Sequence, residues 1–357
     1  MDAGMAKRLA GEWIAAQLTA WPGLQAAHLV GGLTTTPDEM PFPAYKDVDI
    51  HLIFAEGSPA LQPTGPFMNI IETEYAGLVI EAGIKSAREY ASAEAVLGNP
   101  EIAHHLTVAS TLYDPRGLLA NLAGPVRRDY RRRRWVRARV AFERAGLAGT
   151  LEQLPMAQAM GGFAGGLQLL GYSCTYVAAA LGVAALRPPR IGSQMLVHLR
   201  GLLTEYDRPD LHEAILGIIG MQDVTAERVA AWLAEGAVLF DQAVRVRRTP
   251  HPFQHKLHAH LRPYFVASCQ AMLDAGDHRE ALGWLAAYYL ACSDVILADG
   301  PAAEKPTYAA RRDVFLAELG LDGEGAFVAR LEQARTVQTA CFALADEIVA
   351  THPDIVD

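Results

Sequence analysis

The sequence predicts an α+β fold, with a mixed β-sheet and flanking helices in the N-terminal third and an all-helical bundle in the remainder. Before residue 125 the sequence contains short apolar runs separated by glycine and proline, a pattern that is typical of β-strands. Apolar residues at helical spacing, with abundant alanine, fill residues 126–357. A chain of 357 residues also exceeds the roughly 250–300 residues at which a single core stops growing. We therefore predict an α/β domain over residues 1–125 and a helical domain over residues 126–357.

The α/β domain is predicted to contain one amphipathic helix followed by strands. Apolar residues recur at helical spacing from Met5 to Leu18, whereas the strand candidates are apolar runs that end at turn-forming residues. The strand candidates cover residues 24–30, 48–54, 67–75, 78–84 and 105–113. The pair Ala76-Gly77 joins the third and fourth candidates in the manner of a β-hairpin, and residues 114–117 predict a turn or a helix start.

The second domain is predicted to consist of helices separated mostly by proline or glycine. They cover residues 126–146, 154–185, 192–206, 209–219, 225–246, 253–275, 278–298, 307–319 and 325–350. Residues 160–186 carry no charge and are long enough to span a bilayer. The same stretch contains six glycines together with Gln168 and Ser173, so we expect a buried bundle helix, broken near Gly171, and no membrane partner.

Composition and charge exclude several classes of protein. The chain is 51% hydrophobic and 20% charged, which excludes an intrinsically disordered protein. Its four cysteines lie in apolar segments without metal-type spacing, and the N-terminal residues do not form a signal peptide, so we expect a reduced, cytoplasmic protein. The formal charge is −9 even though arginine is concentrated in residues 127–139. A chain that is acidic outside one short segment is not expected to bind nucleic acid.

The residues with the clearest chemical pattern surround the second strand candidate. Asp47 and Asp49 alternate along it, so their side chains share one face at a separation of about 7 Å. Two carboxylates at this separation repel each other unless a cation lies between them, and oxygen ligands suit magnesium. In the preceding Gly31-Gly32 turn, bare backbone amides can approach an anion closely. Together these residues predict half of a metal-dependent phosphate site.

In this order and separation, the Gly31-Gly32 turn and the Asp47/Asp49 pair resemble the signature of the nucleotidyltransferase superfamily with a DNA polymerase beta-like head. The resemblance covers residues 25–117. It implies that the turn holds the triphosphate of a nucleoside triphosphate, for which we expect ATP, and that the aspartates bind two magnesium ions. With its helical second domain the chain looks like the aminoglycoside and lincosamide nucleotidyltransferases, in which the helical part helps to form the acceptor pocket.

The same resemblance implies a third metal-binding carboxylate on a later strand. Glu81 is the best candidate, because a lone glutamate within an apolar strand is costly to bury without a cation or hydrogen-bond partners. Glu72 and Glu74 compete with it, but their alternation is also that of a solvent-facing strand edge. The predicted catalytic and metal-binding set is therefore Asp47, Asp49 and Glu81.

The nucleotide contacts are predicted from the same resemblance. Gly32 stands where many members of the superfamily have serine, so a nearby threonine hydroxyl is a candidate to replace that contact. The threonine candidates are Thr34, Thr35 and Thr36, and the candidates for neutralising the departing pyrophosphate are Lys46, Lys85 and Arg88. We predict Gly31, Gly32, Thr34 and Lys46 as the nucleotide-binding set.

The resemblance implies in-line transfer of a nucleoside monophosphate to a hydroxyl of a small molecule, with release of pyrophosphate. The acidic charge of the chain suits a cationic acceptor, such as an aminoglycoside-like or lincosamide-like antibiotic. We also expect a homodimer. The alternative is a catalytically inactive member of the superfamily that binds nucleotides as a scaffold.

Three other groups of polar residues are less specific. The arginines of residues 127–139 indicate either a solvated, internally paired helix or a surface that closes the triphosphate site. The four histidines of residues 251–260 lack the carboxylate that would complete a zinc site, so we expect helix residues or acceptor contacts there. His51 is expected to face away from the two aspartates and to be structural.

Overall fold

A computed structural model describes residues 1–62, 69–188, 192–251 and 253–357. Within these residues the N-terminal part of the chain forms one mixed β-sheet with helices packed on both faces, and the chain after the last strand is helical. The predicted α+β fold is confirmed.

The described sheet has five strands, with the second strand in its centre. They are β1 (Leu24–Leu29), β2 (Asp47–Phe54), β3 (Ile70–Tyr75), β4 (Leu78–Ser86) and β5 (Thr111–Tyr113). Their order is β3-β4-β2-β1-β5. β2 and β4 run parallel, and the other neighbouring pairs are antiparallel. β2 is therefore hydrogen-bonded on both sides and is held in a fixed register.

The hairpin between β3 and β4 is confirmed. Ala76 and Gly77 both have positive φ, at 51° and 78°, as the two central residues of a tight hairpin turn require. The strands predicted over residues 24–30, 48–54 and 78–84 are confirmed to within two residues at each end. The first two residues of the strand predicted over residues 67–75 lie outside the described residues.

The strand predicted over residues 105–113 is mostly wrong. Residues His105–Thr107 form a short 3-10 helix, and within this segment only β5 is a strand. The hydroxyl of Ser110 donates to the carbonyl of His105 at 2.8 Å, which closes this segment into a loop. Asp114 then caps a turn by accepting a hydrogen bond from the amide of Ala120 at 2.9 Å.

The helices fill most of the remaining chain, as predicted. They are α1 (Ala3–Gln17), α2 (Ala93–Gly98), α3 (Pro100–Ala103), α4 (Leu118–Asp129), α5 (Arg133–Ala184), α6 (Met195–Glu205), α7 (Pro209–Ile218), α8 (Ala226–Val246), α9 (Arg262–Asp274), α10 (His278–Asp299), α11 (Lys305–Glu318) and α12 (Glu324–Thr351). Several begin with proline in the first turn, where its missing N–H is tolerated.

Alternate residues of β2 belong to two different cores. On one face, Ile50 and Leu52 pack with Trp13 of α1. On the other face, Ile53 and Tyr90 belong to a core shared with α2 and α4. Because side chains alternate along a strand, residues 47, 49 and 51 lie on the same face as Ile53.

The longest helix differs from its prediction. α5 is continuous over 52 residues, whereas the sequence indicated two helices and a break near Gly171. Gly171 instead allows close packing, since a Cβ atom there would lie 2.9 Å from the Cδ1 atom of Ile219. The helix predicted over residues 126–146 is also divided, because Arg132 donates both its amide and its side chain back to Asp129 and ends α4.

The chain divides into two compact units. The sheet unit comprises Met1–Phe142, Val183–Pro189 and Ile348–Asp357, and the helical unit comprises Glu143–Gly182 and Arg190–Glu347. α5 contributes residues to both units. The domains predicted over residues 1–125 and 126–357 stay a prediction.

Among the described residues, one helix is long and apolar enough to cross a membrane, judged by length and composition alone. This helix is α10, and 67% of its most apolar stretch is buried inside the protein. Burial on this scale is also typical of the central helix of a bundle.

Candidate metal centre

Three carboxylates meet on one face of the sheet. Asp47 and Asp49 lie on β2 and Glu81 lies on β4, and one oxygen atom of each lies within 4.8 Å of the other two. The parallel register places Asp49 directly beside Glu81. All three side chains are half-buried. The structure therefore brings together the three residues predicted as catalytic and metal-binding, and their roles stay predictions.

This donor set fits a hard divalent cation. Three carboxylates at such short distances repel one another unless positive charge lies among them. Magnesium is held in proteins by a few carboxylates, with waters and substrate phosphates completing the coordination. Among the described residues, this is the only group of three or more histidine, cysteine, aspartate or glutamate side chains with this spacing. Asp47, Asp49 and Glu81 are therefore the residues that would hold the metal.

The turn after β1 packs directly against one of these carboxylates. Gly31 has φ 66° and ψ −161°, a backbone conformation that is essentially restricted to glycine. A Cβ atom at Gly31 would lie 2.9 Å from the Cγ atom of Asp49. In addition, the amide of Val30 donates to the carbonyl of Asp49 at 2.9 Å. Glycine is thus required at residue 31 both by the backbone conformation and by the space that Asp49 occupies.

The predicted phosphate-binding turn is a short 3-10 helix, Gly32–Thr35, whose threonines bond to its own backbone. The hydroxyl of Thr34 donates to the carbonyl of Gly31 at 2.7 Å, and that of Thr36 donates to the carbonyl of Gly32 at 3.0 Å. These bonds make the turn rigid. Because the Thr34 hydroxyl donates its hydrogen to Gly31, only its oxygen can accept a further hydrogen bond. The nucleotide-binding roles of Gly31, Gly32 and Thr34 stay predictions.

The two glutamates that compete with Glu81 lie on β3. Glu72 is the direct register partner of Glu81, so it shares the same face of the sheet and is half-buried. Glu74 is exposed. Among the described residues, the group of three mutually close carboxylates contains Glu81 and neither of its competitors.

The cations considered for the departing pyrophosphate differ in their surroundings. Lys85 donates to Glu101 at 2.7 Å in an ion pair, and Arg88 is exposed. Lys46 is half-buried and immediately precedes β2, beside Asp47. Its position next to the carboxylates agrees with a nucleotide contact, which stays a prediction.

The expectation that His51 faces away from the aspartates is wrong. Residues 47, 49 and 51 alternate, so all three share one face of β2. His51 is buried and its Nδ1 atom lies 3.1 Å from the hydroxyl of Tyr90, which also lies 2.8 Å from the Nε2 atom of His28. Burial lowers the pKa of His28 to about 4 and holds the pKa of His51 well below its ordinary value, so both rings are neutral at pH 7.

The arginine-rich segment at the junction of α4 and α5 is largely paired within the chain. Asp129 contacts Arg128 at 3.0 Å and Arg132 at 2.8 Å. Arg139 is fully buried and donates to the carbonyl of Leu97 at 3.0 Å. These contacts agree with the prediction of an internally paired helix.

The histidines of residues 251–260 form no metal site within the described part of the chain. The rings of His258 and His260 stack at 5.5 Å, and the Nδ1 atom of His251 accepts a hydrogen bond from the amide of Phe253 at 3.1 Å. Much of this segment consists of two 3-10 helices, Gln254–Lys256 and Ala259–Leu261, and α9 begins only after them.

Comparison with known proteins finds similarity to solved structures. No protein-family model matches the chain, and no curated protein matches it. The chain is similar to a nucleotidyltransferase-like protein from Exiguobacterium sibiricum 255-15, with 13% sequence identity and a TM-score of 0.29. That similarity covers 76% of this chain and 91% of the other.

Proposed function

We propose that this chain is a magnesium-dependent nucleotidyltransferase. The observation that carries the proposal is the convergence of Asp47, Asp49 and Glu81 on one sheet face, with the Gly31 turn packed against Asp49. The reaction is the one that the sequence resemblance implies. A nucleoside monophosphate passes from a nucleoside triphosphate to a hydroxyl of a small molecule, and pyrophosphate leaves.

The residues of this site contribute position and charge. When bound, magnesium supplies stabilisation of the negative charge on the phosphate oxygens. The hydrogen-bonded register of β2 and β4 holds Asp49 beside Glu81, and Gly31 fixes the position of the Asp49 carboxylate. Half-burial of the three carboxylates strengthens their interaction with a cation, because less water screens the charges than at an exposed site.

The proposed substrates follow from the same resemblance. ATP is the nucleotide to test first, with Lys46 and the Gly31-Gly32 turn as its proposed contacts. A cationic hydroxyl-bearing molecule, such as an aminoglycoside-like or lincosamide-like antibiotic, is the proposed acceptor. The support for a cationic acceptor is the formal charge of −9 on the chain.

Pyrophosphate release tests the proposal directly. The assay combines the full chain, ATP and magnesium with a panel of aminoglycosides and lincosamides, for wild type and Asp49→Asn. The substitution preserves size and removes one negative charge, so we expect transfer to fall by about 1,000-fold, which corresponds to several kcal/mol of transition-state stabilisation. Circular dichroism should show that the variant keeps its helical content.

Glu74→Gln is the matched control, because Glu74 is an exposed carboxylate of the same sheet, on β3. We expect this variant to transfer at the wild-type rate. Transfer that survives Asp49→Asn would contradict the metal assignment. Magnesium-dependent ATP binding, with no release of pyrophosphate from ATP in the presence of any acceptor, would instead favour the inactive, nucleotide-binding alternative.

A further inference from the structure

A buried polar network lies on the same sheet face as the candidate metal centre. His28 on β1 and His51 on β2 are direct register partners, and their rings meet edge to face at 5.3 Å. The hydroxyl of Tyr90, which follows β4, contacts both rings. Tyr90 and His28 are fully buried, and His51 is 9% exposed. The surrounding core is otherwise built largely from apolar residues such as Ala26 and Ile53.

The partners in this network fix the direction of each hydrogen bond. The Nδ1 atom of His28 lies 3.1 Å from the carbonyl of Leu29, which can only accept, so Nδ1 carries the proton. In a neutral ring the Nε2 atom of His28 then accepts, and the Tyr90 hydroxyl donates to it. The Tyr90 oxygen is left to accept a hydrogen bond from the Nδ1–H group of His51. One arrangement of protons therefore accounts for all three hydrogen bonds.

The ionisation states agree with this arrangement. Burial lowers the pKa of His28 to about 4 and raises the pKa of Tyr90 well above its ordinary value. The Tyr90 phenol therefore keeps the proton that it shares with His28, and the His28 ring carries a proton on one nitrogen only. If His28 were protonated on both nitrogens, its Nε2–H group would point at the hydroxyl hydrogen of Tyr90, and this hydrogen bond would be lost.

The network lies next to the three carboxylates of the candidate metal centre, on the same face of the sheet. His51 follows Asp49 by two residues on the same face of β2, and its register partner on β4 is Gly83, two residues after Glu81. A Cβ atom at Gly83 would lie 3.5 Å from the Cδ2 atom of His51, so the imidazole ring lies against this glycine. On β1, His28 precedes the Gly31 turn by three residues.

We propose that the Tyr90 hydroxyl is a positioning group for the metal centre, because it joins His28 on β1 to His51 on β2 and so fixes the Gly31 turn relative to Asp49. This inference rests on the proposed function, since it assigns a role toward the same carboxylates. Tyr90 itself contacts neither metal nor substrate. It acts through the two strands that present the turn and the aspartates.

Magnesium titration of the full chain by calorimetry tests this role. Tyr90→Phe removes the hydroxyl and both of its hydrogen bonds while keeping the ring in the core. We expect magnesium to bind about tenfold more weakly to this variant, the lower end of the loss seen when groups behind metal ligands are removed.

Tyr130→Phe is the matched control. Tyr130 belongs to the same core, is nearly as buried, and its hydroxyl also contacts a histidine, the Nδ1 atom of His104 at 3.4 Å. Tyr130 and His104 both lie outside β1 and β2, so their contact does not join these two strands. We expect Tyr130→Phe to bind magnesium as wild type does, so that the loss in Tyr90→Phe is separated from a general loss of core stability.

The outcomes distinguish the two proposals. Magnesium binding that is unchanged in Tyr90→Phe, or weakened equally in both variants, would overturn the positioning role and leave the proposed function standing. A wild-type chain that binds no magnesium would overturn the proposed function as well.

Wild type supplies a second measurement if Tyr90→Phe fails to fold. Imidazole 15N shifts should report neutral rings protonated on Nδ1 for both His28 and His51. A ring protonated on Nε2 at either residue would contradict the network.

Discussion

Each unit of the molecule holds one group of close carboxylates, and the two groups have different surroundings. In the helical unit, carboxylates lie beside arginines, and Arg200 contacts Asp277 at 2.6 Å and Glu280 at 2.7 Å. In the sheet unit, the three carboxylates of the candidate metal centre lie within 4.8 Å of one another. The helical unit thus surrounds the buried Glu280 with positive charge, whereas the candidate metal centre brings three carboxylates close to one another.

This difference distinguishes charges that stabilise the fold from those that we propose to bind a metal. Glu280 is 2% exposed, and a carboxylate at that depth is stable only with a cation or hydrogen-bond donors beside it. Carboxylates that converge on one another instead oppose folding through their mutual repulsion. Such an arrangement is typical of sites where a ligand or metal completes the charge balance. The close grouping of the three carboxylates thus supports our proposal that the metal binds in the sheet unit.

The largest effect on stability is expected from the helical unit. Arg200→Ala leaves Asp277 and the buried Glu280 without their guanidinium partner. We expect the free energy of unfolding to fall by about 3 kcal/mol, at the lower end for a broken buried ion pair because Arg200 is itself partly exposed. Urea unfolding followed by circular dichroism measures the change, and magnesium affinity should not move.

Arg208→Ala is the control for this prediction. Arg208 pairs with Asp210 at 2.8 Å, but Asp210 is 63% exposed. A surface pair contributes about 0.5 kcal/mol or less, so this variant should unfold almost as wild type does. Equal stabilities of Arg200→Ala and Arg208→Ala would show that the buried network does not stabilise the helical unit.

A smaller loss of stability, together with a loss of metal binding, is expected at the turn beside the metal centre. Gly31→Ala forces alanine into a conformation that costs about 1–3 kcal/mol and places a Cβ atom against the Asp49 carboxylate. We therefore expect weaker magnesium binding as well as lower stability. Calorimetric titration and urea unfolding measure the two effects separately.

Gly77→Ala is a control that separates the effect of backbone strain from the effect of contact with Asp49. Gly77 also has positive φ, at 78°, but a Cβ atom there would meet nothing within 4 Å. This variant should lose about 1 kcal/mol and bind magnesium normally. If Gly31→Ala also bound magnesium normally, the close approach of Gly31 to Asp49 would have no part in the site.

The grouping of Asp47, Asp49 and Glu81 was predictable in part from local patterns. The alternation of Asp47 and Asp49 follows from strand geometry, and Glu81 was distinctive as a single charge in an apolar strand. The parallel pairing of β2 with β4, which brings Glu81 beside Asp49, was implied only by the family resemblance.

The supporting network was not predicted, because it depends on contacts between distant segments. Tyr90 lies 39 residues from His51 and 62 from His28 along the chain, and no spacing rule connects them. The orientation of His51 was available from the sequence, since residues two apart on a strand share a face. Applying that rule to His51 would have placed a buried imidazole beside the aspartates.

In the helical unit, local signals gave the helices but misplaced a break. Pro155 and the glycines of α5 are unfavourable inside helices, yet α5 continues through them. The contact of Gly171 with Ile219 explains one of these glycines, because packing between helices can override local propensity. Such contacts cannot be read from one sequence.

The central claim is that Asp47, Asp49 and Glu81 together bind the metal that serves nucleotide transfer. A crystal structure of the full chain with manganese and a nonhydrolysable ATP analogue tests it most directly. The account predicts anomalous density among the three carboxylates, with the triphosphate beside the Gly31-Gly32 turn. Manganese bound elsewhere, or a triphosphate bound away from this face of the sheet, would contradict it.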